Sequence, residues 1–452
     1  MHPRMRRAAL FVAVSMLVGM IAVPALAEHG DRERTKNLHP KGHIEEPRSL
    51  LNEDVGNTNI HTDIAFWGSL AFQGNWDGFT IRDISNPDDP QTVSHTSCDG
   101  NQGDIVVWDD VLVRSWNAPA GEDPPPFGAG TTCAGETVPD GFEGVHIFDV
   151  GDPTNPVLVG SVETDCGSHT ATGVPDLAND RLLVYNTPSS GDCPGIDIIE
   201  VPLNAPENAA FLRFEDAGRP CHDTGVILGD AMMAACAGGN GYTVWTLDPA
   251  NLVDPEFLLT KDVNEEEEID GVTIGHSAGF SWDGEVLVFG HEPGGGVAPR
   301  CREEDPDSDK SAMFFEAATG EFLGMWTLPR PQGDDENCTI HNYNVVPLRS
   351  ERDVLVVGNY QAGTWVVDFT DPTDPQTVAW SDPEAKPVPE EGLGAALGTD
   401  VCGAWSSYWY DNFIYETNIC EGLNIFRLSG RETAGAMRLG HLNPLTQEFT
   451  IP

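Results

Sequence analysis

Lysine is scarce in this sequence: five of its 452 residues, with Lys and Arg together numbering 24 against 72 Asp and Glu, for a formal net charge of -48. A chain so acidic repels phosphate backbones, which excludes nucleic acid as a partner, and it disfavours anionic lipid for the same reason. Long apolar runs are missing as well. After Val23 no stretch approaches the ~20 apolar residues that a membrane-spanning helix requires, so no span is expected once the N-terminal segment is removed. No CxxC pair occurs, which argues against a thiolate metal site. Nor is there a GxSxG elbow, a phosphate-binding loop or a dinucleotide fingerprint, and helical periodicity is absent over most of the chain.

What is present begins with an export signal. Arg4, Arg6 and Arg7 precede an apolar run from Ala8 to Val23, and Ala25-Leu26-Ala27 offers small residues before a cut at Glu28. Residues 1–27 therefore read as a secretory signal peptide and 28–59 as a flexible arm or an edge strand. The expected compartment is extracellular or the cell surface. The acidic residues are spread along the chain, as suits a salty milieu in which screening limits self-repulsion. Glu265 to Glu268, the densest run, reads as a solvated loop.

From residue 60 onward the sequence repeats. The stretch GVHIFDVGDPTNPVLVGSV from Gly144 has alternating apolar positions, an Asp-Pro turn and a second strand. Copies begin near Gly78, Ile196, Tyr242, Ala312, Thr364 and Leu423, and the positions matching Asp149 are Asp83, Glu200, Thr246, Glu316, Asp368 and Arg427, spaced 46 to 70 residues apart. Another pair of apolar strands precedes each copy. Seven units of four strands predict an all-β, seven-bladed β-propeller over residues 60–452, and 48 glycines with 34 prolines suit its turns. Either the 28–59 arm or the segment Ala434 to Phe449 is placed to supply the last outer strand.

The segments FDVGDPTNPVLVGS from Phe148 and VDFTDPTDPQTVAWS from Val367 resemble the LVIVD repeat of secreted and surface bacterial proteins. The copies at Asp83, Asp149 and Asp368 match its Asp and paired prolines; the other four match by pattern alone. The resemblance implies the fold and carries little about function.

Ten cysteines in an exported chain imply five disulfides. Cys98, Cys166, Cys221, Cys338 and Cys402 lie near the head of a first strand, and Cys133, Cys193, Cys236, Cys301 and Cys420 follow a second strand. These positions share one face of a propeller, so the register pairs Cys98–Cys133, Cys166–Cys193, Cys221–Cys236, Cys402–Cys420 and Cys301–Cys338.

The same register lines up histidines. His61, His169, His222, His276 and His341 each head a first strand, with Gln102 and Trp405 at the two remaining positions. In a closed propeller such positions ring the central axis, so the imidazoles are candidate ligands for a divalent transition metal. Hydrogen bonding from ring to backbone between blades is the structural alternative. His291 follows a second strand on the same face, while His95 and His146 are placed in outer strands, away from any site. Asp305, Asp307 and Asp309 alternate as in a calcium loop but lack its glycine and distal glutamate. The adjacent His222 and Asp223 are expected to face apart, as neighbours in a strand do. Most tryptophans read as blade packing, with Trp76 and Trp116 as exceptions. The leading functional expectation is a secreted binding module for an extracellular protein, glycan or small molecule, its ligand face carrying the histidines and the insertions Ala118 to Asp140 and Pro293 to Lys310. The alternative is an extracellular metal-dependent hydrolase or oxidase.

Overall fold

Each repeat folds as the alternation of its apolar residues requires. Val145, Ile147 and Phe148 of the strand Gly144–Asp149 are fully buried, whereas Asp149 turns outward and its Oδ1 accepts the Gly151 N–H at 2.9 Å. The DPTNP segment is thus a pair of side-chain-capped turns, the second closed by Thr154 N–H on Asp152 at 3.0 Å. Asp368 and Asp371 repeat the pattern with Thr370 and Thr373.

The computed structural model describes residues 32–45, 60–121, 128–229, 231–385, 388, 398 and 401–451; the expected signal peptide lies outside them. Regular structure there is strand, with only 3-10 turns of three or four residues besides. No helix among the described residues is long and apolar enough to cross a membrane. Five propeller-like sheets each hold four antiparallel strands in chain order, the second with a separate two-stranded hairpin, Thr132–Cys133 and Glu136–Thr137, between its second and third strands, and two of the five gain a fifth strand. The first runs His61–Trp67, Leu70–Asn75, Gly78–Asp83, Gln91–Ser97. A nine-stranded sheet takes the strands from Asn342 to Pro383 and from Ala404 to Leu428, joined where Asn342–Val345 runs parallel to Ala404–Tyr410.

Burial falls from the inside of each sheet outward: Leu70–Asn75 is almost wholly buried and Gln91–Ser97 mostly not. The innermost strands touch in succession, His61–Trp67 against Ile105–Trp108, then Thr170–Asp176, Thr224–Ile227, Gly275–Phe280, Asn342–Val345 and Ala404–Tyr410, which returns to His61–Trp67. Third and fourth strands share one irregularity. A register shift falls after Ile81, Ile147, Ile198, Val244, Phe314 and Val366, in every case two residues before the position matching Asp149. A bulge at one repeat position bends and twists each outer hairpin alike.

Both chain ends enter this framework. Leu38–Glu45 pairs with Gly422–Leu428 as its outer strand, and Arg32–Arg34 pairs with Gln376–Pro383, so described residues of the N-terminal arm are edge strands. The C-terminal segment instead crosses the far ends of the inner strands: His441–Leu442 pairs with His61–Trp67 and Thr446–Gln447 with Thr224–Ile227. His441 stacks on Trp67 at 4.4 Å, meets Trp108 edge-on at 4.9 Å and pairs with Glu448 at 2.8 Å.

Five disulfides join Cys98–Cys133, Cys166–Cys193, Cys221–Cys236, Cys301–Cys338 and Cys402–Cys420, leaving no free cysteine. Between the first two sheets, Arg114 is fully buried and donates to the carbonyls of Gly78 (3.1 Å), Ser115 (2.7 Å), Asn75 (3.0 Å) and Asn101 (3.2 Å). Arg114→Met keeps the volume but orphans these acceptors; it is expected to cost at least about 3 kcal/mol in denaturant unfolding. An unchanged midpoint would contradict that role.

Candidate functional site

The inner strands all start on one face, and their heads enclose a cavity of about 470 Å³. Four of the five candidate histidines meet there. His169, His222, His276 and His341 form an arc with ring centroids 4.2, 4.0 and 4.2 Å apart, continued by Trp405 at 5.0 Å from His341. His61 is not among the residues that line the cavity. Its ring is buried within the first sheet, where desolvation and the charges of Arg82 and His95 push its pKa down to about 3.

Outer partners orient the arc. His169 Nδ1 faces Asn117 Oδ1 at 2.8 Å, His222 Nδ1 faces Asp223 Oδ1 at 3.0 Å, and His341 Nδ1 faces the Trp405 carbonyl. With Nδ1–H donating in each ring, Nε2 is left as a lone pair, the arrangement that second-shell acceptors impose on metal-binding histidines. The Nε2 atoms of His169 and His222 then meet at 2.9 Å, a contact that needs a proton or a cation between two lone pairs. Burial pulls the His222 pKa down, but Asp223, with Glu292 beyond, outweighs it and raises it above the ordinary value. His169 and His276 are driven well below theirs by burial and by neighbouring imidazoles.

Glu292 completes the group. It is buried, which raises its pKa, and Oε1 accepts from the Tyr360 hydroxyl at 2.6 Å. Its oxygens lie 3.9 Å from His276 Nε2 and 3.5 Å from His341 Nε2. Those separations are too long for good hydrogen bonds yet close to the about 3.4 Å between two ligands of one tetrahedral ion with bonds of about 2.1 Å. Ligand atoms of His222, His276 and Glu292 all fall within 4.8 Å of one another. His276 Nδ1 and Asp223 Oδ2, 3.6 Å apart, have no hydrogen-bond partner among the described residues.

Asp63, Asp104, Asp223 and Glu292 line the cavity, and among the described residues no lysine or arginine does. Burial raises the Asp63 pKa to about 7 and that of Asp104 well above the carboxylate range, so these walls resist added negative charge. Tyr360 holds a left-handed backbone (φ 48°), kept there by paired hydrogen bonds with Ala404. Gly296 (φ 68°) passes so close that a Cβ would lie 2.3 Å from the Tyr360 hydroxyl and 2.5 Å from Glu292 Oε1.

Several expectations need correction. His222 and Asp223 do contact, because both precede the strand Thr224–Ile227 and strand alternation does not yet apply. His291 ends the strand Val286–His291 and turns inward, accepting the Thr273 N–H at 3.3 Å; the next residue, Glu292, is the one that faces the cavity. His146 lies in a third strand rather than an outer one, packed on Trp116 and Phe142. It neighbours Cys98 and Cys133, whose sulfurs are committed to their disulfide. Trp116 is core; Trp76 does line the cavity. Asp305 is held by Arg302 at 2.8 Å, Asp307 faces Lys310 at 3.8 Å and Asp309 faces His291 at 3.8 Å, so the three carboxylates serve different partners. Of the two insertions, Gly295, Gly296 and Val297 reach the cavity wall.

The LVIVD repeat family model matches residues 61–96 and 138–164, so the chain carries LVIVD repeats. Comparison with curated proteins gave no match. Among solved structures the chain is similar to Kuenenia stuttgartiensis hydrazine synthase, with a TM-score of 0.51 at 12% identity, covering 79% of this chain and 92% of that one. At that identity the likeness is one of fold.

Proposed function

We propose that this is an exported, seven-bladed LVIVD propeller acting as a binding module, and that its axial cavity holds a divalent transition-metal ion through His222, His276 and Glu292, with His169 and His341 beside them. The observation that carries the reading is the convergence itself: imidazoles and a buried carboxylate from two neighbouring sheets come within ligand distance of one another, and His222, like His169 and His341 beside it, is oriented by an outer acceptor. Imidazole and carboxylate suit zinc or a neighbouring divalent ion better than calcium, which takes oxygen ligands. The cavity's four carboxylates and the chain's net charge of -48 favour a cation over an anion.

The closed succession of inner strands supports seven blades, with the nine-stranded sheet read as two of them. Five disulfides support export to an oxidising compartment.

Titration of the metal-stripped full chain with Zn²⁺ tests the reading through an outer partner. Asp223→Asn keeps the shape but weakens the hold on His222, and is expected to lower affinity about 10- to 100-fold. Unchanged affinity would count against the assignment. Gly296→Ala is expected to weaken zinc binding in the same titration, because its methyl group displaces Glu292 or Tyr360.

A further inference from the structure

The imidazoles and Glu292 occupy one side of the cavity. From Thr170–Asp176 round to Asn342–Val345 the strands are headed by imidazoles, but the next strand carries Trp405 and the one after it follows Ile60. With Trp76, Val401 and Ile419 these two residues form the opposite wall. Ile60, Trp76, Tyr360 and Ile419 pack as one buried apolar cluster, with Val401 and Trp405 against it. The wall starts where the arc stops, since Trp405 meets His341 edge-on at 5.0 Å. Trp76 Nε1 is buried with no hydrogen-bond partner among the described residues. A metal ion alone leaves this apolar surface facing water, which is unfavourable, and leaves the Trp76 N–H unused.

We infer that the bound ion anchors a small aromatic molecule. Resting on the metal assignment above, this gives the occupant one donor atom on the ion, as in an azole, a phenol or a thiol, and a ring against Trp405, Trp76 and Ile419. Further negative charge on the molecule is excluded by Asp63 and Asp104, whereas the charge of a phenolate or thiolate head is neutralised by the ion. The cavity's size falls within the range of small-molecule pockets. Recognition combines a fixed polar head with an apolar body.

The full chain loaded with Co²⁺ and titrated with 4-phenylimidazole and with imidazole, followed by the visible absorption of the cobalt, tests this. Both probes offer the same donor, and 4-phenylimidazole is expected to bind at least tenfold more tightly. Trp405→Ala and, should that variant not fold, Ile419→Ala are expected to cut the preference below threefold while cobalt stays bound. Equal affinities with cobalt retained would overturn this inference alone, as would a cobalt spectrum that neither probe changes. Failure to retain cobalt would overturn this inference and the metal site together.

Discussion

Glu292→Gln is expected to lower the affinity for a transition-metal ion by at least about a hundredfold, more than loss of an outer-shell partner costs, without destabilising the metal-free protein. The two halves of that expectation have one cause. Glu292 is buried among groups that include Asp223, and burial penalises its charged form. An ion bound beside it offsets that penalty, so the charge helps only when the ion is there. Glutamine keeps the carbonyl oxygen to which Tyr360 donates, so the packing survives while the charge is lost. His222→Ala is expected to give the same loss of affinity by removing the ring between His169 and His276. Metal titration beside thermal unfolding of the metal-free protein separates the effects. A Glu292→Gln protein that unfolds more easily yet binds metal as before would show the carboxylate to be structural.

Deleting residues 436–452 is expected to destabilise the fold severely and to open the far end of the channel. Asn443 alone fills both backbone groups of Val107, accepting from its N–H and donating to its carbonyl at 2.9 Å each. Leu445 and Gln447 accept the N–H groups of Val226 and Leu228 at 2.8 Å each, and Thr446 and Gln447 donate to the carbonyls of Gly173 (2.7 Å) and Phe280 (2.9 Å). One short segment thus supplies partners to four inner strands whose last backbone groups would otherwise be buried unmet. At about 1–3 kcal/mol for each such group, the loss rivals the 5–15 kcal/mol by which domains are stable, even with water replacing some bonds. Asn443→Leu isolates one link, with an expected cost of about 2–4 kcal/mol in denaturant unfolding. No change in either variant would show that the segment merely rests on the channel.

Much of the fold was legible because the repeat imposes one pattern on many segments. The alternation around Asp149, the Asp-Pro turns and the cysteine register are local or periodic features. The bulge two residues before Asp149 recurs in five further copies, which is the physical reason their alignment could be made without conserved letters. The site was legible only in part. Register brings four histidines to the axis, but it cannot say where a strand begins. A strand beginning at Thr224 instead of His222 puts His222 and Asp223 together, and one ending at His291 turns Glu292 to the cavity. His61 is the first residue of its strand, and its ring is buried within the first sheet instead of lining the cavity. The C-terminal segment has no repeat partner, so only tertiary contact reveals that it crosses the inner strands.

The axial imidazoles and Glu292 are proposed to hold one metal ion. Equilibrium dialysis of the full chain against Zn²⁺, followed by elemental analysis, tests it most directly. One equivalent of zinc per chain, lost in both Glu292→Gln and His222→Ala, is the expected result; no retained zinc, or the same zinc content in both variants as in the parent, would contradict it.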